Sequence, residues 1–246
     1  MCTIVYVDQA ESTNSLLAAS AKKFEHGTAI AAHSQTSGRG QRGNHWEAEP
    51  GKNLTFSVLL RPSTIMASHQ FELLQLMAIS VVKVLRNQLS TNEVCIKWPN
   101  DIYYRDKKIC GILIENSLSG ALIDQSIVGI GLNVNQEKFL SDAPNPTSMA
   151  LIAGHLFDLD DLLEFLVTQI VNDFDEYETN PEPTSLAARY RFMMWRNEGF
   201  WPYRDNITGQ NFHGRIAAIA PTGHLTLASQ GGGFHTYAFK EVSAIL

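Results

Sequence analysis

The chain has 246 residues, 44% of them hydrophobic and 18% charged, with a formal net charge of −6. This is the composition of a globular protein with one large domain, or with a large domain and a small appendage. The acidic excess excludes general affinity for nucleic acid or anionic membrane, so any anionic ligand must be met by locally placed cations.

No run of about 18 apolar residues is present, and no transmembrane helix is expected. The start, MCTIVYVDQAEST, has neither the basic nor the apolar region of a signal peptide. Three scattered cysteines, Cys2, Cys95 and Cys110, fit reduced thiols in the cytoplasm better than a disulfide framework. The eight histidines show no metal-ligand spacing.

In chain order, TIVYVD (3–8) predicts a strand, after which Ser12, Thr13 or Asn14 caps a short helix to about Phe24. TAIAAHS (28–34) and NLTFSVLL (53–60) are strands on either side of a glycine-rich loop. Between His69 and Leu89, apolar residues recur at three- and four-residue spacing, which predicts an amphipathic helix. EVCIKW (93–98) is a strand stopped by Pro99, which also holds Trp98 extended. KICGILIE (108–115), apolar on both faces, reads as a central strand. SIVGIGLNV (126–134) is its neighbour, reached through a turn at SLSG (117–120).

A second amphipathic helix spans Leu159 to Tyr177, and a short one follows at about 185–194. From near Asn197 the chain is strand and turn throughout. This places a boundary between a 1–196 domain and a small 197–246 β-barrel that depends on it. The order of elements is not the strict alternation of a doubly wound fold, and predicts a mixed sheet covered by helices.

The loop SQTSGRGQRGNHW (34–46) contains G-x-G-x-x-G at Gly38, Gly40 and Gly43. A dinucleotide-binding turn needs a helix opening at the third glycine, but NHWEAEPGKN follows, with Pro50 and Gly51 close behind. A Walker loop is excluded because G-K-[ST] is missing. Two readings stay open: a solvated hairpin tip, or a cradle in which glycine N–H groups with Arg39 and Arg42 meet a phosphate or carboxylate. Trp46 supplies a flat face on which a base could stack.

Four further stretches have bland readings when taken singly. ESTN (11–14) can be a helix cap, KWPNDIYY (97–104) a strand end with a turn, RDKKICG (105–111) a charged hairpin tip, and GIGLNV (129–134) a packed strand. Together and in this order, the chain resembles the biotin protein ligases. The shared marks are Ser12-Thr13-Asn14, Gln35 through Trp46, Lys97 through Asp101, Lys108 eight residues after Asn100, and Gly129-x-Gly131-x-Asn133. The resemblance spans nearly the whole chain. It departs at Gln41, where the family often has arginine, which puts retention of the activated intermediate in question. The chain also starts almost at the first core strand, so a ligase without the family's DNA-binding repressor module is expected.

The resemblance implies an α+β fold like that of class II aminoacyl-tRNA synthetases and biotin synthetases, with a C-terminal SH3-like β-barrel. It implies ATP, Mg2+ and biotin as ligands, the carrier domain of a carboxylase as partner, and a monomer or homodimer. Biotin's carboxylate would attack the α-phosphorus of ATP, and a carrier lysine would then attack the mixed anhydride. Lys108, Arg39 and Arg42 are the expected catalytic cations. Ser12, Thr13, Asn14, Gln35, Gly38, Arg39, Gly40, Gln41, Lys108 and Gly111 are the expected biotin site. Arg42, Trp46, Asn100, Lys108 and Asn133 are the expected nucleotide site, and no metal ligand is assigned. Two other readings are a lipoate or octanoate ligase, which would differ in its glycine-rich stretch, and a non-catalytic biotin- or nucleotide-binding regulator.

Overall fold

The computed structural model describes residues 2–41, 45–140 and 145–246. Strands β1 (Ile4–Ala10), β2 (Ala29–Gln35), β3 (Leu54–Leu60), β4 (Val94–Lys97), β5 (Asp101–Tyr104), β6 (Lys107–Ser119) and β7 (Leu122–Leu132) form one sheet. Its order is β1-β2-β3-β7-β6-β5-β4. Only β1 and β2 run parallel; every other pair is antiparallel, so the sheet is mixed as expected.

The helices are α1 (Thr13–Ser20), α2 (Phe71–Gln88), α3 (Met149–Ala153), α4 (Leu159–Thr179) and α5 (Pro183–Phe192). The two periodic stretches became α2 and α4, and α4 is capped by Asp158, which accepts from the Asp160 and Asp161 amides. Helix α1 stops at Ser20, with a single 3-10 turn at Ala21–Lys23 carrying the chain on. Two elements escaped the sequence reading. Strand β5 is only four residues long and gains its ladder by folding back on β4, and α3 has just five residues, too few to show a period.

Side chains alternate across the sheet, and the register sets what each face carries. The row Ala31–Phe56–Ile130–Ile112 faces α2 and α4 within one continuous core. On the opposite face, Ile30, Leu59 and Ile127 pack with Leu17 and Ala21 beneath α1. Helix α1 covers only part of that face, and the site occupies the remainder.

A second, five-stranded antiparallel sheet follows in the order β11-β10-β9-β8-β12. It comprises β8 (Trp201–Asp205), β9 (Asn211–Ile219), β10 (Leu225–Ser229), β11 (Phe234–Tyr237) and β12 (Val242–Ala244). Its buried residues Tyr203, Ile216, Leu225, Leu227, Tyr237 and Val242 belong to the same core as α2 and α4. Among the described residues, no helix is long and apolar enough to cross a membrane.

One buried acid ties α2 to α4. Asp173 accepts from Ser80 Oγ at 2.6 Å, Lys83 Nζ at 2.9 Å and Gln169 Nε2 at 2.9 Å. Asp173→Ala removes the shared acceptor and is expected to lower unfolding free energy by about 3 kcal/mol, with Asp173→Asn losing roughly half of that. Urea unfolding with an unchanged slope checks this; a shift of less than about 1 kcal/mol for the alanine variant would show that the cluster is not structural.

Candidate active site

The K-W-P-N-D stretch folds as the turn between β4 and β5, and the Trp98–Pro99 peptide is cis. Three contacts hold it: Trp98 Nε1 donates to Gly223 O at 2.9 Å, Tyr190 Oη donates to Pro99 O at 2.7 Å, and Asn100 Nδ2 donates to Ile112 O at 2.6 Å. The turn places Lys97 directly across from Asp101. From there the register continues through Gly111 and Gly131 to Thr55, one row running across five strands. Two charged residues therefore stand at one end of a trough whose floor has no side chains.

Trp46 lies in that trough. A Cβ on Gly131 would overlap the indole at Cε2, and one on Gly111 would come within 3.2 Å of Cζ3. The glycine loop is a hairpin at its base, where Trp46 N donates to Gly38 O at 3.0 Å and Arg39 bridges His45. A Cβ on Gly38 would come within 2.8 Å of Trp46 O, which explains the glycine there. The base of the loop is thus a hairpin whose Trp46 lies over the sheet, while residues 42–44 lie outside the described residues. Lys108 Nζ lies 5.5 Å from the Trp46 ring centre and pairs with Asp101 at 2.7 Å. Lys97 Nζ is 4.7 Å from the Tyr103 ring centre and donates to its hydroxyl at 2.8 Å. Burial pushes the Lys97 ammonium below its usual range; Asp101 opposes that shift while Lys108 and Arg196 add to it.

The second row, Leu113–Gly129–Ser57–Ile30, bears the uncharged groups. Asn14 lies over Gly129 and donates from Nδ2 to Glu115 at 2.8 Å. Ser57 Oγ contacts Thr13 Oγ1 at 2.7 Å and Asn14 Oδ1 at 2.6 Å. Ser12 holds the N-cap position of α1 without a side-chain cap bond; the Thr13 amide is met instead by Gln35 Oε1 from β2 at 2.8 Å.

The two rows open onto a single cavity of about 1000 Å³. That is the upper end of what one small ligand needs, and it suits a two-part ligand. Of the residues proposed from the sequence, Ser12, Thr13, Asn14, Gln35, Arg39, Gly40, Gln41, Trp46, Asn100, Lys108 and Gly111 line it. Gly38 and Asn133 lie outside the lining. Gly38 shapes the loop, and Asn133 is buried, donating to Thr147 O at 3.0 Å. Arg42 falls outside the described residues. Arg39 is turned toward Glu115, at 2.8 Å, rather than paired with an acid beside Lys108.

Sequence reasoning missed Ser57, Glu115 and the wall built by the second sheet, where Asn206, Leu225 and Ser243 face the cavity. Ser57, one of two buried hydroxyls with Thr55 in an otherwise apolar strand, was the visible signal. The cysteines carry no chemistry here. All three are free, burial pushes the Cys95 thiol up to about 12, and it raises that of Cys110 as well.

A family model described as "Biotin/lipoate A/B protein ligase family" matches residues 6–133. The chain is 30% identical over 213 residues to the bifunctional ligase/repressor BirA of Bacillus subtilis, covering 84% of this chain but only 63% of that protein. It is 30% identical over 195 residues to the biotin–[acetyl-CoA-carboxylase] ligase of Paracoccus denitrificans, covering 74% of this chain and 78% of that one. It shares its fold with the biotin protein ligase of Aquifex aeolicus, solved in complex with biotin and ATP. There the TM-score is 0.79 with 24% identity, over 99% of this chain and 98% of the other. Motifs, matched segment and architecture agree, and the chain belongs to the biotin/lipoate A/B protein ligase family.

Proposed function

We propose that the protein is a biotin protein ligase, which condenses biotin with ATP to biotinyl-5′-adenylate and transfers biotin to a lysine of a carboxylase carrier domain. One observation carries this reading. A single cavity joins an uncharged hydrogen-bonding end at Thr13, Asn14 and Gln35 to a cationic end at Lys97 and Lys108. Biotin is built the same way, with a neutral ureido ring at one end and a carboxylate at the other. Its apolar tail contributes about 0.8 kcal/mol for each CH₂ buried.

In the first step a carboxylate oxygen bonds to the α-phosphorus and the bond to the β-phosphate oxygen breaks, releasing pyrophosphate. Two unit charges about 4 Å apart repel by roughly 4 kcal/mol at an effective dielectric near 20. Lys108 would supply the bridging ammonium, and its 2.7 Å pairing with Asp101 orients it. Trp46 provides the adenine face, and Gly111 and Gly131 leave room for it. Closure of the hairpin would exclude water from the anhydride. In the second step the carrier amine attacks the biotinyl carbonyl and AMP leaves, with no covalent bond to the enzyme.

The donor set also fits a magnesium ion arriving with the nucleotide. Asp101 is the one carboxylate among the described lining residues, and those residues contain no three-ligand cluster. Mg2+ is commonly held by one or two carboxylates together with substrate phosphates and water. Asp101 would hold it, and the ion would neutralise phosphate charge.

ATP–pyrophosphate exchange with biotin, lipoate and octanoate offered separately tests the reading. Exchange with biotin alone is expected; exchange with lipoate or octanoate instead, or with none of them, overturns it.

A further inference from the structure

Between Trp46 and the start of β3, residues 47–53 belong to no helix or strand, so no sheet ladder fixes this run. Its backbone nevertheless sets where the Trp46 indole lies over Gly111 and Gly131. A side chain from the run after β7 reaches across to hold it. Gln136 is 2% exposed, and both ends of its amide are used twice.

The direction of each bond follows from its partners. Val134 N can only donate, and it does so to Asn53 Oδ1 at 3.0 Å, which turns the Asn53 NH₂ end toward Gln136 Oε1. That oxygen also accepts from Glu49 N at 3.0 Å. The Gln136 nitrogen then faces two acceptors, Lys138 O at 2.8 Å and Glu47 Oε1 at 3.4 Å. Glu47 Oε1 takes the Leu140 amide as well, at 2.9 Å, and Asn135 N donates to Lys52 O at 2.7 Å. Residues 47–53 and 134–140 are therefore joined along their length. The junction asks two accepted and two donated bonds of one neutral group. Leucine or methionine would supply neither kind, and glutamate accepts but cannot donate.

Gln136 is not among the described residues lining the cavity, whereas Trp46, at the head of the run it holds, is. We propose that Gln136 is a positioning residue for the nucleotide half of the site, fixing the Trp46 ring over the glycine floor by tying 47–53 to 134–140. This rests on the biotin ligase reading above. The uncharged end of the cavity stands on a different row of the sheet, so the effect of Gln136 should fall on ATP and spare biotin.

The test is ATP–pyrophosphate exchange with each substrate varied in turn. Gln136→Glu keeps both accepted bonds, loses the donation to Lys138 O and sets a second carboxylate beside Glu47. It should raise the KM for ATP about thirtyfold, with the KM for biotin and kcat within about threefold. Adding Glu47→Gln offers an NH₂ end to the new carboxylate and an oxygen to Leu140 N, and should return the KM for ATP to within about fivefold of wild type. If Gln136→Glu does not fold, Glu47→Ala reads the same split from the other side of the junction, with a rise of about fivefold for ATP alone. Equal rises for ATP and biotin, no recovery in the double variant, or an unchanged KM for ATP would show that the junction only supports packing, and the proposal fails. If the wild type shows no exchange with biotin, the ligase reading is overturned and this positioning role with it.

Discussion

Replacing Lys108 by methionine is expected to lower biotin-dependent ATP–pyrophosphate exchange by about 150- to 900-fold, with the fold intact. Methionine keeps most of the side-chain length and volume, so the change isolates the charge. Losing one preorganised donor aimed at developing charge typically costs about 3–4 kcal/mol, which corresponds to that factor. Stability should change by less than about 1 kcal/mol, since both members of the Lys108–Asp101 pair are roughly a quarter exposed. Lys108→Arg should recover part of the activity, because a guanidinium keeps the charge but presents it in a broader, planar form than an ammonium. Exchange within about fivefold of wild type for the methionine variant would remove Lys108 from the reaction.

The second large effect is expected at Gly129. A Cβ there would overlap Asn14 Oδ1 and come within 2.8 Å of its Cγ, and both atoms belong to a buried residue fixed on α1. Asn14 cannot move away without breaking its contacts to Ser57 and Glu115, worth about 1–1.5 kcal/mol each. Gly129→Ala should therefore raise the KM for biotin about a hundredfold while leaving that for ATP within about threefold, because the trough proposed for the nucleotide lies one row away over Gly131. Steady-state exchange with each substrate varied in turn measures both. An equal rise in both constants would mean that the substitution disturbs the sheet as a whole, and that the two rows are not separate subsites.

The motif residues themselves were legible in the chain. Lys108, Trp46, Thr13, Asn14 and Gln35, widely spaced in sequence, do converge on one cavity. Glu115 and Ser57 were not legible as partners, because they meet only through Asn14, which lies 101 residues from one and 43 from the other. Lys97 and Asp101 were visible as motif letters, but their facing each other depends on the tight turn that makes β5.

What the sequence determined by itself was local. The periods of α2 and α4, the apolar runs of β3, β6 and β7, and each motif taken singly depend on neighbours within a few turns of chain, and the order of the motifs is read directly along it. Only the tertiary structure decided what faces what. The register that stacks Asp101, Gly111, Gly131 and Thr55 into one row is set by the consecutive pairings β5–β6 and β6–β7 and by the pairing of β7 with the sequence-distant β3, and a slip of one residue would send that row to the core face. The second sheet's place as a cavity wall has the same origin. Its buried apolar residues join the core of α2 and α4 rather than forming a separate one.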